Sequence, residues 1–107
     1  MSLNEEQENI EADILIKLLK RGNIGNSHTS FDNLPKGFPS HIKNNVKKVA
    51  EKLINDNILL SHPTSYGLEV SINPQMLEYI VNLPKIMETA SKNPFILQKY
   101  KLLRNNL

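Results

Sequence analysis

The chain has 107 residues, 39% of them hydrophobic, and a formal net charge of +2; this length fits one domain that buries about two-thirds of its unfolded surface. It contains no Cys, which excludes disulfides and thiolate metal sites and suits a reducing interior. No apolar run approaches the roughly 20 residues of a membrane span and no signal-peptide pattern opens the chain, so a soluble cytoplasmic protein without membrane contact is expected.

The first element is a helix over residues 4–21. Ile10, Ile14, Leu15, Leu18 and Leu19 recur at spacings of three and four. Its acids come first and Lys17, Lys20 and Arg21 last, as the macrodipole favours, and Gly22 stands where a left-handed cap belongs. Residues 1–16 hold five acids and no base, whereas residues 17–52 hold eight bases and two acids. The positive charge is therefore concentrated in the middle third, a pattern expected of a polyanion-binding face and equally of an ordinary solvated one. "NIGNSHTS" supplies turn formers around Ile24 and has room for a short extended piece. Ser30 then caps a very short helix over Phe31–Leu34, which Pro35 stops, and Lys36-Gly37 forms the turn.

The clearest element is the next helix, about 40–56, within "PSHIKNNVKKVAEKLINDN". Ile42, Val46, Val49 and Leu53 fall in a sector of roughly 60° at 100° per residue. Ser40, Asn44, Lys47, Lys48 and Glu51 lie opposite, bordered by His41, with Lys43 and Lys52 on the flanks. Asn57 suits the helix exit. A two-stranded antiparallel hairpin follows over residues 58–72: Ile58 and Leu60 alternate on one strand, and Leu68, Val70 and Ile72 on the other. Thr64, Ser65, Tyr66 and Gly67 make its tip, and Pro63 places the first strand at an edge. Asn73-Pro74 starts another helix with Met76, Leu77, Ile80 and Val81 on its apolar side. Pro84 breaks or bends it. Asn93-Pro94 starts a last helix with Phe95, Ile96, Tyr100, Leu103 and Leu107 facing inward.

The expected fold is mainly α with a small antiparallel β-hairpin. The order of elements over residues 10–81, with a lysine-rich third helix running directly into a hairpin, resembles the winged helix-turn-helix family, here with additional C-terminal helices. The resemblance implies a winged-helix domain over 1–84 and a C-terminal helical extension over 85–107 that packs on the domain or pairs two copies. It further implies that the third helix enters the major groove of double-stranded DNA and that the hairpin is a wing gripping flanking backbone.

On that reading the contact residues are Lys36, Ser40, His41, Lys43, Asn44, Lys47, Lys48 and Tyr66. An amide at Asn44 suits adenine, lysines suit guanine or phosphate, and a helix N-terminus suits phosphate. The same face also serves simply to keep an amphipathic helix soluble. His28, His41 and His62 lack a helical i, i+4 pair, so no metal site is expected. There is no phosphate loop and no nucleophile elbow, so neither catalysis nor a cofactor is expected. Two functions remain: a DNA-binding transcriptional regulator, with the C-terminal helices available to pair two copies, or a protein-binding adaptor within a larger complex. The third helix and hairpin carry no Arg, and this keeps the adaptor in play.

Overall fold

Helix α1 (Ser2–Arg21) buries Ile10, Ala12, Ile14, Leu15, Leu18 and Leu19. It ends in a Schellman motif, with Gly22 at φ 69°. The Gly22 N–H donates to the Leu19 carbonyl (3.1 Å) and the Asn23 N–H to that of Leu18 (2.9 Å). The structure, a computed structural model, describes residues 2–98, Tyr100 and Lys101; the expected inward positions Leu103 and Leu107 lie outside the described residues.

The extended piece after α1 is strand β1 (Thr29–Ser30). Ser30 Oγ then accepts from the Asp32 N–H (3.2 Å) and caps a 3-10 turn, Phe31–Asn33. The Lys17 ammonium donates to the carbonyls of Asn33 (2.6 Å) and Lys36 (3.0 Å), which fastens this loop across α1. Leu34 is buried beneath it.

The lysine-rich helix begins differently from the expectation. Ser40–Ile42 form a 3-10 turn, and helix α2 (Lys43–Asn55) starts only after Ile42, at φ −114° and ψ 3°. Pro39 precedes it and no side chain caps α2, so the entry turn closes through i→i+3 bonds, as uncapped helix starts commonly do. Val46, Val49, Ala50 and Leu53 are buried as the periodicity predicts. Asn57, at φ 62°, ends the helix, with the Ile58 N–H donating to the Leu53 carbonyl.

Strands β2 (Leu59–Thr64) and β3 (Gly67–Ile72) form the hairpin, and β1 adds to it. The result is a three-stranded antiparallel sheet of order β1-β3-β2. One expectation is corrected here. Leu59, opposite Ile72, faces the core, while Leu60 pairs with Ser71 on the other face. Ile58 still belongs to the exit turn of α2, where its carbonyl accepts from the Asn73 N–H (3.0 Å). Strand parity therefore starts one residue later, and a shift of one exchanges the faces. Leu68, expected inward, lies near the exposed tip opposite Pro63. Pro63 sits on an edge strand, as a residue without an N–H must.

Asn73 accepts from the Gln75 N–H (3.1 Å) and caps the turn Pro74–Met76, which leads into α3 (Leu77–Val81). Pro84 then opens a separate helix, α4 (Pro84–Lys92), from its first turn. Asn93 makes no side-chain cap, and a 3-10 turn over Pro94–Leu97 follows. Helix α4 and this last turn pack on α1 and bury Ile86 and Ile96, and Tyr100 beyond the turn is buried as well. Phe95, expected inward, is 77% exposed. The tight 3-10 rise turns it away from the face that buries Ile96.

Candidate nucleic-acid interface

Helix α2 buries one stripe against the body of the fold, and this aims its remaining side chains outward. Lys43, Asn44, Lys47 and Lys48 are all exposed. Among the described residues no carboxylate lies within ion-pair distance of Lys43, Lys47 or Lys48. Lys52 differs. Its ammonium meets Asp56 at 2.8 Å and Glu11 at 3.8 Å, and the hydrogen bond to Asp56 raises its pKa. One of the four lysines of α2 is thus already neutralised from within the chain.

The two flanks of α2 are unlike. On one, the acidic half of α1 runs alongside. Glu6 accepts from the Asn45 amide (3.5 Å), and a cleft of about 440 Å³ opens between Glu6 and Ile10 of α1 and Asn45, Lys48 and Lys52 of α2. On the other, Lys43 and Lys47 stand roughly 140–180° around the axis from Asn45 and Lys52, by 100° per residue. A polyanion approaching α2 meets repulsion from Glu6 and Glu11 on the first flank, whereas the second presents Lys43 and Lys47 with Glu51 about 40° around the axis from Lys47.

Ser40 and His41 lie exposed in the 3-10 turn that leads into this surface. Lys36 sits in the loop clasped by Lys17, on a groove that Lys17 and Lys20 of α1 also line. Tyr66 projects from the hairpin tip, 97% exposed. Its presentation is fixed by Thr64, whose hydroxyl donates to the Gly67 carbonyl (2.7 Å) and accepts from the Tyr66 N–H (3.1 Å). Gly67, at φ 131°, takes a conformation that a side chain disfavours.

The outer face of the sheet holds a polar network invisible in the linear sequence. His28 Nδ1 pairs with Glu69 Oε1, the His28 and His62 rings stack with centroids 4.6 Å apart, and His62 Nε2 meets Ser71 Oγ at 3.0 Å. The buried Ser71 hydroxyl donates to the Gly25 carbonyl (2.7 Å). This network ties β1 and its approach to the hairpin. Among the described residues no group of three His, Cys, Asp or Glu is arranged to hold a metal ion.

Burial raises the Asp13 carboxyl above its usual range, against the attraction of Lys85. An acid whose folded pKa is raised favours the folded state below its unfolded pKa, and that contribution is lost as pH rises through the folded value. Asp13→Asn is therefore expected to melt at a higher temperature than the parent at pH 7. The difference should vanish below about pH 3.9, the ordinary Asp range. Thermal melts across that interval check it, and an equal gain at both ends would refute the ionisation argument.

No protein-family model, no curated protein and no solved structure matches this chain.

Proposed function

We propose that the protein is a double-stranded DNA-binding transcriptional regulator of the winged-helix type, with α2 in the major groove and the β2–β3 hairpin as its wing. The observation that carries this reading is the outward face of α2, where Lys43, Lys47 and Lys48 stand exposed and unpaired among the described residues around Asn44. The element order and the β1-β3-β2 sheet directly after that helix support it, by analogy of fold rather than by chemistry alone. In this reading Lys47 and Lys48 meet phosphate or guanine, Asn44 reads a base edge, and Ser40, His41 and the first amides of α2 approach the backbone. Lys36 contributes at most an outlying phosphate contact. Met87 and Phe95, exposed on the C-terminal helices, are where a second copy would pair.

A second reading, a protein-binding adaptor, is favoured by one observation. The hairpin carries no Lys or Arg, while its tip presents Tyr66 to solvent. A wing without cations gains little from phosphate.

Salt titration separates the two. With three lysines on phosphate, log K for a random duplex should fall against log[salt] with a slope of about −3. Fluorescence anisotropy of a labelled 20-base-pair duplex between 50 and 200 mM salt measures it. No binding, or a flat response, would leave the adaptor reading in its place.

A further inference from the structure

A second surface lies toward the C-terminal half of α1, turned away from the residues that meet α2. By clasping the Asn33 and Lys36 carbonyls, Lys17 holds the following loop across the helix and leaves a groove of about 390 Å³ between them. Ile16 and Phe38, both partly exposed, form its floor, and Lys17, Lys20 and Lys36 its rim. Among the described residues Asp13 is the one carboxylate lining it, and it also faces Lys85. Positive potential accumulates here. The Lys17 ammonium has a lowered pKa, through burial first and then through repulsion from Arg21 and Lys36. The residues of α1 that meet α2 lie about 100° around the axis from those lining this groove.

We propose that this groove docks a partner protein through a short acidic and amphipathic segment, with carboxylates on Lys20 and Lys36 and a leucine or aromatic side chain on Ile16 and Phe38. The charge complementarity sets the sign of the ligand, and the apolar floor sets its class. A phosphodiester backbone has nothing to place on Ile16 and Phe38, whereas a peptide alternating acids with large apolar residues satisfies both. The chain's own acidic segment is a poor fit. In α1 the apolar partners of those acids, Ile10 and Ala12, are buried in the core, so that segment offers charge without a side chain for the floor.

The test pans a phage-displayed library of random 12-residue peptides on the full chain, then measures the selected peptides by anisotropy. The selected peptides should combine several carboxylates with Leu, Phe or Trp. They should bind Lys20→Glu/Lys36→Glu at least tenfold more weakly and Asp13→Asn more tightly. Their affinity for Lys47→Glu/Lys48→Glu should be unchanged, which separates this proposal from the DNA reading. Three results would overturn it: no such enrichment, equal binding to a Lys20→Glu/Lys36→Glu protein of native melting temperature, or displacement by a short duplex, which would assign the groove to nucleic acid. Self-association lost in that double variant would assign it to a second copy instead.

Discussion

Lys47→Glu combined with Lys48→Glu should lower duplex affinity at least 100-fold at 100 mM salt while leaving the fold intact. Each reversal removes a phosphate contact and adds repulsion, and a loss of about 3 kcal/mol between them corresponds to roughly that factor. Both side chains are exposed and neither pairs with a carboxylate among the described residues. Stability should therefore move by no more than about 0.5 kcal/mol, as for ordinary surface changes. Lys52→Glu is the internal contrast. It breaks the pairs with Asp56 and Glu11, so its effect should show in the melting temperature more than in binding. Anisotropy and circular dichroism on the same samples report both quantities. Undiminished affinity in the double variant would remove α2 as the reading surface.

Ile96→Ala should cost about 3 kcal/mol, whereas Phe95→Ala should cost less than about 0.5 kcal/mol. The two residues adjoin in one 3-10 turn, but Ile96 is 1% exposed and Phe95 77%. Truncating a buried Ile loses its transfer free energy and leaves a cavity, and for a domain near this size the loss lowers the melting temperature by roughly 10–20 °C. An unchanged melting temperature in Ile96→Ala would mean that the C-terminal turn does not share the core. If the C-terminal helices pair two copies, Phe95→Ala should instead lower the sedimentation coefficient at micromolar concentration with the melting curve unmoved.

What the linear sequence conveyed, and what it did not, follows from the range of the interactions involved. Periodicity placed Ile14, Leu18, Val46 and Leu53 in the core because a helix face is set by its own neighbours in the chain. Gly22, Asn57 and Asn73 marked their boundaries for the same reason, since caps and left-handed exits are local. The assignment failed at Leu59 and Phe95. There the orientation depends on where one element hands over to the next, and a single residue in the α2 exit or a tighter turn at Pro94 rotates the side chain away. At the candidate interface, Lys47 and Lys48 were legible as an exposed pair. The commitment of Lys52 to Glu11, 41 residues away, was not. The Lys17 clasp on the Lys36 carbonyl spans 19 residues and the His28–His62 stack joins residues 34 apart; neither leaves a mark in local spacing.

Helix α1 touches α2 and β3 on its way through the fold and is finally covered by α4 and the Pro94–Leu97 turn. Of the elements described it is the first to be synthesised and among the last to be enclosed. At about 5–20 residues per second, synthesis of the stretch between Arg21 and Ile96 takes on the order of 4–15 s. For that interval the part of α1 that α4 and the Pro94–Leu97 turn cover stays open on the nascent chain, so a ribosome stalled short of Ile96 holds a sticky product that chaperones must guard.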